Sequence, residues 1–263
     1  MITYATFHMS LGATVESEIR KRSPGTLPYD PEQVIPLMFA SAERADPGCR
    51  KVVLTDRKTR FPAATRYEVI RFDADPERVE LARAAAWAAY CDRANGHVAF
   101  VDSDLLVAQS LESVFRSRFD VALTYRNREE MPINIGVHFA HGDHLENAAR
   151  FHRRTVELML ERHADRQMWL GGQYAASELV DAADFSRRRP HPHRQNGFSI
   201  RLLPCDVYNF SAPMPMDGFY PGKAILHFKG RRKASMAAYW ERHLAETAPP
   251  RCRGWSRWLG LAG

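Results

Sequence analysis

Two carboxylates one residue apart, Asp102 and Asp104, stand directly after the apolar run Val98–Val101. Like charges that close repel, and neither is buried cheaply without a cation. A hard divalent ion such as Mg²⁺ or Mn²⁺ resolves the conflict, because oxygen ligands suit it and it can bridge onward to a pyrophosphate. The triplet Asp102-Ser103-Asp104 also fits a plainer arrangement, in which Asp102 caps the next turn and Asp104 lies in solvent. The setting favours the first: an apolar strand leads in, and Leu105–Val107, Leu111 and Glu112–Phe115 lead out.

The elements that must hold such a site are read from periodicity and punctuation. Strands are expected at Ile2–Phe7, Lys51–Thr55, Tyr67–Phe72, Val98–Val101, Asp120–Tyr125 and Asn134–Ala140, with short ones at Ile200–Leu203 and Ala224–Phe228. A helix is expected at Pro31–Ala45, before the turn signal Asp46-Pro47-Gly48. The clearest helix is Glu77–Asp92, with Asp75 as N-cap, Pro76 at the first position and Asn95-Gly96 closing it. Asp143–His163, Gln167–Ala183 and Ser235–Glu246 also read as helical, and Ser186–Gln195 as an Arg-, His- and Pro-rich loop. Strands alternating with helices imply an α/β fold with a mainly parallel sheet and right-handed crossovers. Ligands of such sheets bind beyond the carboxyl ends of the strands, where Asp102 and Asp104 fall. No linker divides the chain. It reads as one domain over residues 1–263, with a nucleotide-binding half to about residue 125, an acceptor half over about 126–248, and a tail at 249–263.

The 263 residues are 45% hydrophobic and 26% charged, which is ordinary for a globular chain with a sizeable core. No apolar run approaches the roughly 20 residues that span a bilayer. Met1–Arg20 lacks a basic start followed by an apolar stretch, so no secretory signal is expected. Cys49, Cys91, Cys205 and Cys252 are scattered and form no CxxC pair; a reducing cytosol is the expected compartment. The net charge of +6 fits either a solvated basic surface or attraction to an anionic partner, such as a sugar nucleotide, an acidic glycan or a lipid surface. Nucleic-acid binding is not expected, because no recognition motif accompanies the charge.

The segment His97–Phe115, HVAFVDSDLLVAQSLESVF, resembles the DxD segment of GT-A fold glycosyltransferases, and among them glycosyltransferase family 8, which includes glycogenin and bacterial lipopolysaccharide galactosyltransferases. The family's other motifs are matched in order. Arg83 and Trp87 stand four apart on the helix before the triplet, hence on one face. Asn134-Ile135-Gly136-Val137 resembles the family's Asn-x-Gly-Val, with Ile135 where a small residue is usual. His227, Gly230 and Lys233 resemble its His-x-x-Gly-x-x-Lys, without the Pro-Trp that often follows; Ala234-Ser235 stands there. Gln173 resembles the Gln of the family's Asp-Gln, but Gly172 stands in place of the Asp.

The resemblance implies a GT-A, Rossmann-like nucleotide-diphospho-sugar transferase fold with Mn²⁺ (or Mg²⁺) and a UDP-sugar donor. It implies retaining transfer to a hydroxyl of an acceptor such as a bacterial glycan or lipopolysaccharide. Asp102, Asp104 and His227 would hold the metal. Arg83, Asp102, Ser103, Asn134, Gly136, Gly230 and Lys233 would meet the donor, with Thr6 and His8 near its base. Gln173 and Asp104 would stand at the reacting centre. The metal would act as a Lewis acid on the departing diphosphate, and Arg83 and Lys233 would add preorganised positive charge. Gly172 motivates a second reading, a GT-A-like protein that binds a sugar nucleotide or glycan without transferring it. Ser186–Gln195 would be either a lid over the donor or a solvated loop. The tail Pro249–Gly263 interleaves Arg251, Arg253 and Arg257 with Trp255, Trp258, Leu259 and Leu261. That pattern suits peripheral contact with the inner face of a membrane, or docking on the core.

Overall fold

Strands β1 (Ile2–Phe7), β2 (Arg50–Asp56), β3 (Glu68–Phe72) and β4 (His97–Val101) lie parallel to one another. They form one half of an eight-stranded sheet in a computed structural model that describes residues 1–22, 30–63, 65–180 and 192–245. Its order is β3-β2-β1-β4-β7-β6-β9-β8, completed by β6 (Val121–Tyr125), β7 (Ile133–Ala140), β8 (His193–Gln195) and β9 (Phe198–Pro204). β6 runs parallel to β9, whereas β7 is antiparallel to both β4 and β6. The result is the expected α/β fold with a mixed, mainly parallel central sheet. All eight residues of β7 are buried, as helices on both faces of a central strand require.

Helix α1 (Ala13–Arg22) follows β1. In α2 (Pro31–Ala45), Asp30 accepts the Glu32 N–H, and Ile35, Met38, Phe39 and Ala42 form a buried stripe at helical spacing. With Ile2, Tyr4, Leu106 and Phe139 they build the core on one sheet face. The core of the other face gathers Ala5, Leu54, Trp87, Phe100, Phe151 and Ile200 under helices α3 (Val79–Cys91), α4 (Leu145–Arg162) and α5 (Gly171–Glu178).

Three expectations are corrected. Asp75 and Pro76 do start a helix, but as a 3-10 turn at Pro76–Arg78, so the α-helix begins at Val79 rather than Glu77. Among the described residues of the helix expected over Gln167–Ala183, the α-helical part runs from Gly171 to Glu178, because Leu170 has φ +64° and breaks the run before it. The segment read as a loop at Ser186–Gln195 contains the edge strand β8, which pairs antiparallel with β9 across Asn196-Gly197, both at positive φ. Residues 186–191 of that segment, and the tail Pro249–Gly263, lie outside the described residues.

Two local departures from the sheet shape the region beyond β4. After Asp104 the chain forms β5 (Leu105–Val107), which leaves the main sheet and pairs antiparallel with β10 (Ile225–His227). His227 is opposite Leu105 in that register, so the ribbon places the histidine beside Asp104. In β7 the pairing with β6 jumps from Leu123↔His138 to Thr124↔Asn134. Ile135, Gly136 and Val137 thus have no partner on β6, although Val137 stays opposite Val101 of β4; such a bulge re-aims a strand segment next to a site. Helices α6 (Cys205–Tyr208) and α7 (Met236–His243) complete this end.

Candidate active site

Asp102, Asp104 and His227 offer ligand atoms that lie within 4.8 Å of one another. Nε2 of His227 is 2.9 Å from Asp104 Oδ1 and 3.6 Å from Asp102 Oδ2. Lys233 Nζ reaches Asp104 Oδ2 at 3.3 Å, and Arg83 Nη1 reaches Asp102 Oδ1 at 3.2 Å. The bulge in β7 closes the cluster from the side: the Gly136 carbonyl accepts the Asp102 N–H at 2.7 Å. A Cβ at Gly136 would lie 2.9 Å from His227 Cε1 and would strike the Asp102 carboxylate, so this position has room only for glycine.

The tautomer of His227 tests whether a cation fits. Asn209 Nδ2 donates to Thr124 Oγ1 at 3.0 Å, which turns Asn209 Oδ1 toward the ring. That oxygen only accepts, so His227 Nδ1 at 2.7 Å carries the proton. Burial, and then the neighbouring Lys229, push the ring's pKa below the ordinary histidine value, which disfavours a second proton. The neutral Nε2 therefore points its lone pair at carboxylate oxygens. Two acceptors 2.9 Å apart repel unless a cation stands between them, and an imidazole oriented through its other nitrogen is the usual form of a metal ligand. Burial opposes ionisation of Asp104, while the Lys233 ammonium beside it favours the carboxylate. A set of two carboxylates and one imidazole can hold a divalent metal ion.

A second group adjoins the first. Arg83 Nη2 lies 2.8 Å from Glu80 Oε1, three residues earlier on α3, and its guanidinium sits 4.9 Å from the Trp87 ring centroid. The Arg83 and Glu80 side chains are only 16% and 12% exposed. Burial raises the Glu80 pKa against the pull of Arg83, and Asp102 adds to the rise. Glu80 also accepts a hydrogen bond from the backbone of Gly172. Gln173, at the start of α5, is 8% exposed, and its Oε1 has no hydrogen-bond partner among the described residues.

Other expected residues take varied places. Asn134 is buried, and its Oδ1 is taken by the Gly136 N–H at 3.1 Å, so its side chain shapes the bulge. Ser103 is half-buried in the turn between β4 and β5. Gly230 has φ +60° with no atom within 4 Å of a Cβ built on it; the left-handed backbone, not crowding, calls for glycine there. Thr6 and His8 lie at the carboxyl end of β1, the strand beside β4. Thr6 Oγ1 is buried without a hydrogen-bond partner among the described residues, and burial pushes the His8 pKa down to about 4. Sequence reasoning missed Glu80, Asn209 and Lys229. Burial lowers the Lys229 pKa, while Asp102 is the strongest charge opposing that. Only Glu80 left a readable signal, the helical i,i+3 spacing to Arg83.

No protein-family model matches the chain, and no curated protein matches it. Solved structures do. A glycosyltransferase involved in the glycosylation of the major capsid of PBCV-1 is similar with a TM-score of 0.51 at 14% identity, over 90% of this chain and 98% of that one. The glycosyltransferase GlyE of Streptococcus pneumoniae TIGR4 is similar with a TM-score of 0.54 at 14% identity, over 90% of this chain. Its apo form gives 0.52 at 13%, over 91% of this chain. This chain spans 59% and 60% of those two GlyE chains. At such identities the likeness concerns the fold alone: this chain shares the α/β fold of these solved glycosyltransferases.

Proposed function

We propose that this chain is a metal-dependent glycosyltransferase of the family 8 type. It moves a hexosyl group from a nucleotide sugar, a UDP-sugar, to a hydroxyl of a carbohydrate or glycolipid acceptor such as a bacterial glycan or lipopolysaccharide. The transfer retains anomeric configuration. The observation that carries this reading is the meeting of Asp102, Asp104 and His227 Nε2 at the carboxyl end of β4. Asp102, Asp104 and His227 hold Mn²⁺ (or Mg²⁺), which supplies a Lewis acid for the departing diphosphate.

Lys233 and Arg83 add fixed positive charge beside the carboxylates, where negative charge develops on the leaving group. Ser103 and Gly136 line the turn and the bulge against which the diphosphate lies, and Gly230 starts the turn that carries Lys233. Thr6 and His8 receive the base at the neighbouring strand end. Asn134, through the bulge, and Gln173, through its unpartnered Oε1, serve the sugar. Residues to about 125 form the nucleotide-binding half and the rest to about 248 the acceptor half. Among the described residues no helix is long and apolar enough to cross a membrane. A cytoplasmic protein touching the inner membrane face through Pro249–Gly263 fits this reading.

The test is a panel of UDP- and GDP-sugars assayed for Mn²⁺-dependent hydrolysis and transfer. Asp104→Asn is expected to abolish both, and unchanged turnover in that variant would remove the proposal. Gly172 favours the second reading, binding without transfer. Saturable, Mn²⁺-dependent binding of a nucleotide sugar with no turnover on any acceptor would select it.

A further inference from the structure

Two departures from the family pattern, Ile135 and Gly172, meet in space. A Cβ at Gly172 would lie 2.7 Å from Ile135 Cδ1, so the branched side chain occupies the room that a residue at 172 would need. The same Cβ would lie 3.4 Å from Glu80 Oε2. A carboxylate oxygen thus stands one van der Waals contact from the point where an aspartate at 172 would begin, and it arrives from α3 instead of α5. The Gly172 backbone hydrogen-bonds to it, and it is buried at a cost that an isolated surface ion pair would not bear.

Metal ligation does not account for Glu80, since it lies outside the group formed by Asp102, Asp104 and His227. Neutralising Arg83 accounts for it only in part. Asp102 already pairs with that guanidinium at 3.2 Å, but a cation on Asp102 competes for the same oxygens. Glu80 then becomes the partner that keeps Arg83 in place. Gln173 Oε1, on the residue after Gly172, is buried with no partner among the described residues, and an acceptor in that state can take a hydroxyl donor from a ligand.

Resting on the glycosyltransferase reading, we propose that Glu80 is the positioning carboxylate of the sugar side of the site. It stands in from α3 for the aspartate that position 172 lacks, and it orients Arg83 and the Gly172-Gln173 turn toward the donor sugar. Ile135 and Gly172 are then a matched pair that makes room for it.

The experiment compares the wild type with Glu80→Gln, Glu80→Asp and the triple variant Glu80→Gln, Ile135→Ala, Gly172→Asp. Two quantities are read: turnover of whichever nucleotide sugar the wild type hydrolyses best with Mn²⁺, and calorimetric binding of Mn²⁺ with UDP, which lacks the sugar. Glu80→Gln is expected to lower kcat about 100-fold, as misplaced positioning groups do, while UDP affinity stays within about threefold. Glu80→Asp and the triple variant are each expected to regain about tenfold over Glu80→Gln. Turnover of Glu80→Gln within about twofold of wild type overturns the proposal. So does an equal loss of UDP affinity and kcat, which would make Glu80 a support of the diphosphate end only. Should the triple variant fail to fold, Glu80→Asp decides: no gain over Glu80→Gln also overturns it. Failure of the glycosyltransferase reading looks different, since then no sugar nucleotide is turned over by the wild type or Asp104→Asn is fully active.

Discussion

The two ends of strand β4 carry the same residue types and do opposite things. At the amino end, His97 Nδ1 accepts the Gly142 N–H at 3.0 Å and His141 Nδ1 accepts the Asp143 N–H at 3.2 Å. Asp120 takes the Ser199 N–H at 2.7 Å and the Asn147 amide at 3.0 Å, and His144 Nδ1 lies 3.1 Å from it. His97 stacks on Phe115 with centroids 4.3 Å apart, and burial lowers the pKa of both His97 and His141. Each of these acceptors has a protein donor. At the carboxyl end, Asp102, Asp104 and His227 Nε2 turn toward one another, with Arg83 on one oxygen of Asp102 and Lys233 on one oxygen of Asp104. A histidine and carboxylate cluster becomes a candidate metal centre when its ligand atoms converge on one another, not through its composition alone.

Variants can break that contrast. The largest effect is expected from Asp104→Asn, which should weaken Mn²⁺ binding by about 100-fold or more in a calorimetric titration, since a chelating carboxylate becomes a poor ligand. An unaltered isotherm would make the carboxyl end as structural as the amino end. Asn209→Leu comes next. It leaves all three ligands but frees His227 Nδ1, and about 10- to 100-fold weaker Mn²⁺ binding is expected. Wild-type affinity would show that the ring is oriented by packing alone.

The smallest effect on metal binding belongs to His141→Gln, for which unchanged Mn²⁺ affinity is expected. Its effect is on acid stability. The folded pKa of His141 is lowered, so the unfolded chain binds the extra proton first as pH falls. Stability is then complete above the ordinary histidine value of about 6.5 and declines below it, by up to about 1.4 kcal/mol per pH unit for one such group. Denaturant titrations between pH 7 and 5 should show a shallower decline in His141→Gln. An identical slope in both proteins would remove His141 from the acid response.

Much of the fold was legible because its signals are local. The apolar runs at Ile2–Phe7 and Val98–Val101 and the capped helix at Pro31–Ala45 were readable in place. The DxD triplet, Arg83 and the His227–Lys233 spacing were readable as motifs, and the structure brings Asp102, Asp104, Arg83, His227 and Lys233 together. What escaped depends on long-range pairing. Asn209 is 18 residues from His227, and nothing in its neighbours announces a histidine partner. The edge strand His193–Gln195 is basic and short, so its hydrogen bonds to β9, rather than any apolar alternation, define it.

The sequence alone determined which residues have the chemistry for a divalent ion and a diphosphate, and that they follow a buried strand. Side-chain type and strand periodicity are properties of short segments, so no partner was needed to see them. The tertiary structure decided which of those groups converge, which nitrogen of His227 faces the carboxylates, and that Ile135 and Glu80 together fill the space at Gly172. Those facts arise where segments distant in the chain are pressed within a few ångströms, and only packing sets such distances.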